Sequence, residues 1–405
     1  MDNPNRSAAI GQESLVLHAD HRGKLEISSK VPLKTREDLS RAYTPGVAEV
    51  CREITRDPNK VWKYTLKANT VAVVSDGSAV LGLGNIGPYA GIPVMEGKAV
   101  LFKEFAGIDS FPICLDAEDV DLVRIIRSIA PVFGGINLED IAAPRCFEIE
   151  EELQDLGIPV MHDDQHGAAI AVLAALINAC QITGKRLEEL RVVVCGAGAA
   201  GYAICRLLKC IGYDTHICTP VKELIACDTS GIIFRGRPGL YHNKYKFILG
   251  DETNTEKRSG SLTDAMKGAD VFVGVSIAGI VTPEMVQSMS PNPIVFSLAN
   301  PIPEIMPELA KEAGAAIVGT GRSDYPNQIN NVLVFPGVFR GALDAQAIRI
   351  TDEMKIAAAH AIAQYVENPL PDKILPDPLD RGVSREVAEA VRLSAIKGGV
   401  SRDGG

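Results

Sequence analysis

No two of the nine cysteines, scattered from Cys51 to Cys227, stand in a C-x-x-C pair, and their number is odd. That pattern excludes a disulfide framework and leads us to expect reduced thiols in a reducing, cytoplasmic compartment. Positive charge is also in deficit. Lys and Arg total 41 against 51 Asp and Glu, a formal charge of -10, which argues against a nucleic-acid or anionic-membrane surface while leaving room for a local basic pocket. The start, MDNPNRSAAIGQES, has no basic stretch followed by an apolar core, so no secretory leader is expected. The longest apolar run, AAIAVLAALINAC, is too short to span a bilayer and reads as a buried core helix. Neither a G-x-S-x-G elbow nor a G-x-x-x-x-G-K-[ST] loop is present, which removes the simplest hydrolase and NTPase readings.

What remains is an ordinary globular composition, 46% hydrophobic and 23% charged, over 405 residues. That length suits roughly two to three domains. From residue 70 short apolar runs alternate with amphipathic stretches. TVAVVSDG (70–77), FPICLD (111–116), PVFGGIN (131–137) and IPVMHDD (158–164) read as strands, with helical patterns over 119–130 and from Pro144 to Gly157. The series is βαβ, hence a parallel sheet. The apolar helix 167–180 leads to RVVVCGAGAAGYAICRLLKCIG, after which candidate strands recur at 223–227, 270–274, 293–298 and 315–318. This second series predicts a doubly wound Rossmann unit. The expected fold class is therefore α/β, with a parallel α/β unit over 1–165 and a dinucleotide-binding unit over 166–366. Residues 229–262 are polar and Gly-rich and predict a long surface excursion. ENPLPDKILPDPLD carries four prolines and reads as a linker, and the terminal helix within 367–405 is expected to pack back on the first unit.

G-x-G-x-x-G occurs twice, and context separates the copies. Gly196, Gly198 and Gly201 follow an apolar strand and open a helix, so the amides around Ala199 and Ala200 are placed to hold a pyrophosphate. Asp228 closes the next strand and is placed to accept from an adenosine ribose hydroxyl, although it lies 27 residues beyond Gly201 where the usual separation is about 20. The first copy, Gly82, Gly84 and Gly87, runs into Pro88 and reads as a close-approach loop or a plain turn.

Glu139 and Asp140 follow one strand of the first sheet, and Asp163 and Asp164 follow the next, so a parallel sheet brings all four to one edge. Such an oxygen-rich set suits Mg²⁺ or Mn²⁺ rather than zinc, without His162 or His166 as ligands. Helix capping accounts equally well for their spacing. Lys98 lies in an otherwise apolar helix: burial would lower its pKa and make it a base, whereas a snorkelling surface lysine is the plainer alternative. Tyr43 precedes a Pro-Gly turn. Asn300 follows one candidate strand, and Asn330 and Asn331 precede another.

Taken in order, SRAYTPGVAEVC, VVSDGSAVLGLGNIGPYAGIPVMEGKAVLF, INLEDIAAPRCFEIE, HDDQHGAAIAVLAAL, CGAGAAGYAI, SLANP and YPNQINNVLVFPGVFRGALD resemble the malic enzyme family in its shorter, bacterial-type form, from about residue 15 to about 365. The resemblance implies oxidative decarboxylation of L-malate to pyruvate with NAD or NADP. It implies that Tyr43 is the general acid, Lys98 the general base, and Glu139, Asp140 and Asp164 the ligands of Mg²⁺ or Mn²⁺, with Asp163 a supporting acid. Asn300 and Asn331 would contact the substrate carboxylate or the nicotinamide, with Asn330 a neighbour at the cofactor. It further implies a homodimer or larger oligomer. The sequence departs from the long form of the family after its DG motif, where Ser78 and Ala79 stand in place of an arginine. Asp228 favours NAD, whereas Arg235, Arg237 and Lys244 favour NADP. Two other activities fit the same residues: malolactic decarboxylation with tightly held NAD, and a non-catalytic dinucleotide and metal sensor. Retention of Tyr43, Lys98 and the three acids argues against the sensor.

Overall fold

The computed structural model describes residues 4–402 apart from 81, 118, 119 and 215. Its N-terminal stretch carries α1 (Pro4–His21), α2 (Arg36–Ala42), α3 (Val47–Arg56) and the short α4 (Val61–Tyr64). Thr35 starts α2 through a capping box with Asp38. Neither α2 nor α3 buries a residue, and Leu33, Leu39, Val47 and Val50 are exposed.

The first sheet begins with β1 (Thr70–Ser75), after which α5 (Gly87–Ala106) crosses to β2 (Asp109–Cys114). Then follow α6 (Leu122–Ile129), β3 (Gly135–Leu138), α7 (Arg145–Leu153), β4 (Val160–His162) and α8 (Asp163–Thr183). The strand order is β2-β1-β3-β4, all parallel. Parallel pairing needs crossovers on the sheet faces, which is why β1 is buried along its whole length and reads as an unbroken apolar run.

The second sheet comprises β5 (Arg191–Cys195), α9 (Ala199–Lys209), β6 (Glu223–Asp228), β7 (Gly231–Ile232), α10 (Lys244–Glu252) and α11 (Leu262–Met266). It continues through β8 (Val271–Gly274), α12 (Pro283–Gln287), β9 (Ile294–Ser297), α13 (Pro307–Glu312) and β10 (Ile317–Thr320). The order β10-β9-β8-β5-β6-β7 is doubly wound: the chain moves outward from β5 to β6, then returns to β8 on the other flank. The crevice between the exits of β5 and β8 is the topological switch point. The last helices are α14 (Phe335–Asp344), α15 (Asp352–Gln364) and α16 (Arg381–Lys397).

Several local expectations change. The stretch 229–262 is not only a surface excursion: it supplies the antiparallel β7 and the helix α10, whose Tyr245 stacks on Phe147 and Tyr202. The apolar residues after Asn331 form a turn and then α14, not a strand, because Phe335, Val338, Phe339 and Ala342 recur at helical spacing and all four are buried. The proline-rich stretch is docked rather than free. Asn178 donates to the carbonyls of Ala363 and Ile374, and Asn327 receives the Ile374 N–H while donating to Pro371. Cys210 and Cys218 form a disulfide, contrary to the expectation of thiols throughout: Cys210 ends α9 in a left-handed conformation, and the turn brings the two Cα atoms to 5.8 Å. The other seven cysteines are free.

At 21 residues α8 is long and apolar enough to cross a membrane, but it lies in the core against α9 and α15. A helix apolar on every face needs such burial. The helix α14 carries the end of the chain back to the first sheet, where Phe335 and Phe339 meet Phe102 of α5 edge-on. The terminal helix α16 rests mainly on α14 and α15, and touches the first unit through an Arg381–Glu104 ion pair.

The α14–α16 contact depends on Gly337 and Gly341, since a Cβ at Gly341 would run into the Ala388 carbonyl and Val391. We expect Gly341→Val to lower stability by about 1–3 kcal/mol through overpacking, read as a lower melting temperature than the parent chain.

Candidate active site

The exits of β3 and β4 deliver the acids. Strand β3 ends at Leu138, and the next residues, Glu139 and Asp140, turn out at the sheet edge with Asp140 at φ 52°. This left-handed conformation is uncommon for a residue with a Cβ. Strand β4 stops at His162, so Asp163 and Asp164 lie in the first turn of α8 rather than on the strand expected through 164. Their charges favour that position at a helix N-terminus. The Asp140 N–H donates to Asp164 Oδ2 at 2.8 Å, pinning the two exits together. Gly167 leaves room for Asp163, because a Cβ there would collide with Asp163 Oδ1 and Asn331.

From above, α5 presents Gly91, Met95, Lys98, Ala99 and Phe102 on its buried face. Lys98 is not a snorkelling lysine: its side chain is 8% exposed, and its Nζ lies 2.6 Å from Asp163 Oδ2 and 2.8 Å from Glu139 Oε1. The ring of Phe335 covers it, with the centroid 4.3 Å away. Burial alone would push the Lys98 pKa down, as the sequence suggested. The carboxylates of Asp163, Glu139 and Asp164 outweigh that and hold it well above the ordinary lysine value. Burial pushes the carboxyls of Glu139, Asp140, Asp163 and Asp164 upward, and their mutual repulsion adds to it.

Four acids around one ammonium carry a net charge of -3 when all are ionised, in surroundings that solvate charge poorly. Capping does not explain them. Helix α7 starts at Arg145 with Pro144 as its N-cap and no side-chain cap, and α8 starts at Asp163 itself. Oxygen atoms of Glu139, Asp140 and Asp164 lie within 4.8 Å of one another, and Asp140 Oδ2 is buried without a hydrogen-bond partner. A hard divalent cation fits this donor set. The histidines stand outside it. His166 Nε2 meets Glu150 at 3.0 Å, while the buried His162 ring is pushed down to about 4 by burial and stays neutral.

Next to the acids opens a cleft of about 690 Å³ lined by Gly82, Ala142, Asp164, Gly198, Ala199, Ala200, Gly201, Ser276, Asn300, Asn330 and Asn331. It lies at the switch point of the second sheet, between the exits of β5 and β8. The second glycine motif forms one wall, through Gly198, Ala199, Ala200 and Gly201. A Cβ at Gly201 would strike the Gly196 carbonyl, and one at Gly196 would strike Val275, whereas the space beside Gly198 is open for a ligand to approach the backbone. The first glycine motif behaves as a turn: Gly82, Gly84 and Gly87 all have positive φ, a Cβ at Gly82 would make only ordinary contact with Asn300 and Pro301, and Gly84 and Gly87 have open space. Asn330 caps the following turn through its Oδ1 to the Val332 N–H while also lining the cleft.

Three sequence-identified residues lie apart from this assembly. Asp228 is absent from the cleft lining and is enclosed by Arg237 and Lys246. Tyr43 is 67% exposed and also absent from that lining. Ser78, standing where an arginine was looked for, is a structural residue: its hydroxyl donates to Asp76 and accepts the Ala142 N–H. Sequence reasoning missed Glu304, which is fully buried. Its carboxylate accepts the Ser276 and Ala299 N–H groups and so ties together two loops of the cleft, a role that no motif signals.

Comparison with known proteins gives two family matches: the malic enzyme N-terminal domain over residues 22–121, and the malic enzyme NAD-binding domain over 165–396. The chain is 55% identical to the bifunctional malic/malolactic enzyme of Bacillus subtilis, covering 97% of this chain and 95% of that protein. It is also 55% identical to the NAD-dependent malic enzyme of Geobacillus stearothermophilus, over 97% and 80% of the two chains. Among solved structures, the NAD-dependent malic enzyme of Thermotoga maritima is 50% identical with a TM-score of 0.89, over 93% of this chain and 98% of that one.

Neutralising one member of the crowded acid cluster should relieve repulsion and remove a ligand at once. We expect Mn²⁺ to raise the melting temperature of the parent chain, since a ligand bound only by the folded state stabilises it. In Asp140→Asn the metal-free melting temperature should rise and the response to Mn²⁺ should largely vanish.

Proposed function

The chain belongs to the malic enzyme family, and from that premise we propose that it converts L-malate to pyruvate and CO₂ with reduction of NAD or NADP in the presence of Mg²⁺ or Mn²⁺. The observation that carries this reading is the buried Lys98 ammonium held between Glu139 and Asp163, where the acid cluster borders the dinucleotide cleft.

Glu139, Asp140 and Asp164 hold the cation, and the amides at the start of α9, with Gly196, Gly198 and Gly201, hold the pyrophosphate. When bound, the nicotinamide supplies a hydride acceptor and the cation supplies Lewis acidity toward the substrate oxygens. The charge of a cation on Glu139, Asp140 and Asp164 would offset the carboxylates that otherwise hold the Lys98 proton, so that Lys98 in its neutral form takes the C2 hydroxyl proton as the C2 hydrogen departs as hydride, and Asp163 stabilises the ammonium so formed. Loss of the C4 carboxylate as CO₂ leaves its bonding electrons on C3, and the Tyr43 phenol delivers a proton there to make the methyl group of pyruvate. Asn331 and Asn300 contact the substrate carboxylate or the nicotinamide amide, and Asn330 stands beside the cofactor. The two units, an N-terminal substrate and metal domain and a Rossmann domain, divide these tasks near residue 165.

Tyr43 reaches such a site in a homodimer. It sits on the turn between α2 and α3, whose apolar residues Leu39, Val47 and Val50 are uncovered within one chain. Pairing that face with a second copy buries it and carries Tyr43 toward the partner's cleft.

Absorbance of reduced nicotinamide, followed with L-malate and Mn²⁺ against NAD and NADP, should rise together with pyruvate and stop on chelation. Lactate without reduced cofactor would instead favour the malolactic reading, which the name of the Bacillus subtilis relative keeps in view. Absence of both products would overturn the proposal. Lys98→Ala should lose on the order of 10²–10⁴-fold in turnover, as expected for a proton-transfer group, with dinucleotide binding kept. Mixing inactive Tyr43→Phe and Lys98→Ala chains should restore roughly a quarter of the sites if each site draws on two chains. No recovery after subunit exchange would place Tyr43 in its own chain's site.

A further inference from the structure

The acid at the end of β6 is not available to a ribose. Asp228 Oδ1 accepts from Arg237 Nη1 at 2.9 Å and from the Ser230 N–H at 2.9 Å, while Oδ2 accepts from Arg237 Nη2 at 2.6 Å and Lys246 Nζ at 2.8 Å. All four lone-pair positions of the carboxylate are therefore taken. The side chain is 6% exposed, and the two cations hold its pKa at about 2 although burial alone would raise it. In a NAD site this carboxylate would need a free oxygen for the ribose diol.

The surroundings carry the opposite sign. A second groove, of about 380 Å³, opens at the β6 exit, and Asp228 is the only acid lining it among the described residues. Arg237 and Lys246 give the trio a net charge of +1. Arg237 Nη1 also donates to the Gly231 and Ile232 carbonyls, which leaves its Nε–H and one Nη2–H for a ligand, and the ammonium of Lys246, with its side chain 29% exposed, has donors to spare as well. The hydroxyls of Thr229 and Ser230 line the same groove. The other nearby cations are engaged elsewhere, Arg235 with Asp251 and Lys244 with Glu151.

The groove also stands where the adenosine end of a dinucleotide falls. Strands β5 and β6 are neighbours, and the Gly196 N–H that begins the pyrophosphate turn donates to the Cys227 carbonyl, one residue before Asp228. The larger cleft runs from that turn toward Asp164 and would take the reacting half of a dinucleotide. The other half would then point to the β6 exit.

We infer that this groove, built from Lys246, Arg237 and the hydroxyls of Thr229 and Ser230, is a phosphate-monoester site that receives the 2'-phosphate of the dinucleotide, so that the chain prefers NADP over NAD. Asp228 acts as a positioning residue that holds the two cations in place. The inference rests on the proposed function above, and titration calorimetry without substrate separates the two. Full-length protein should bind NADP tighter than NAD by about tenfold or more, as charge-assisted hydrogen bonds to a phosphate provide. Adenosine 2',5'-bisphosphate should bind in competition with NADP. Lys246→Met, which leaves the Arg237–Asp228 pair intact, should remove most of the difference without lowering the melting temperature. If that variant does not fold, Arg237→Lys and the salt dependence of the NADP advantage in the parent chain serve instead, the advantage shrinking as ionic strength rises. Equal or tighter binding of NAD, or a preference untouched by these substitutions, overturns the inference and leaves the proposed function standing. Failure of both dinucleotides to bind overturns both.

Discussion

The ammonium of Lys98 among buried carboxylates is the contact on which the arrangement depends. It joins three parts of the chain: α5, the exit of β3 at Glu139, and the first turn of α8 at Asp163. Breaking such a buried pair by removing one partner leaves an uncompensated charge. The elements that bring the groups together are therefore constrained together. Phe335 of α14 completes the enclosure, so residues far along the chain also bear on this one cation. A cluster in which acids outnumber bases is a poor way to stabilise a fold and a good way to hold a cation.

The helix α8 couples the two sheets. Its first turn carries Asp163 and Asp164, while its body is buried against α9, the helix that opens on the glycine turn. A rigid buried helix fixes the distance between cation ligands and dinucleotide turn more tightly than a loop would. On its other side the same first turn is held from behind, with Gln165 and His166 both bonded to Glu150, which also accepts the His162 N–H. Glu304 plays the corresponding part for the second unit, tying the loops after β8 and β9 through their backbone amides.

Where the chain departs from a generic dinucleotide fold, it does so at β6. The segment after Asp228 supplies Arg237, β7 and α10 with Lys246. It therefore changes the sign of the charge a ligand meets there without altering the strand end itself. Tyr43 is the other departure, a side chain exposed between α2 and α3, neither of which buries a residue within one chain. Both cases concern a residue whose type suggests one partner and whose surroundings provide another.

The sequence by itself determined the two parallel sheets, the glycine turn at Gly196 and the convergence of Glu139, Asp140, Asp163 and Asp164. These follow from periodicity, from the restricted backbone of a tight turn, and from the rule that parallel strands end on one edge. Ordered motifs identified the family. Tertiary structure alone decided what surrounds each group. It decided that Lys98 is buried among acids and so holds its proton more tightly than burial alone implies. It also decided that Asp228 is saturated by Arg237 and Lys246, and that the proline-rich stretch is docked by Asn178 and Asn327. The division has one physical cause. Local pattern sets backbone conformation and which face is apolar, whereas the protonation and availability of a charged side chain depend on partners on other elements, nine residues away for Arg237 beside Asp228 and 65 for Asp163 beside Lys98, whose approach no spacing records.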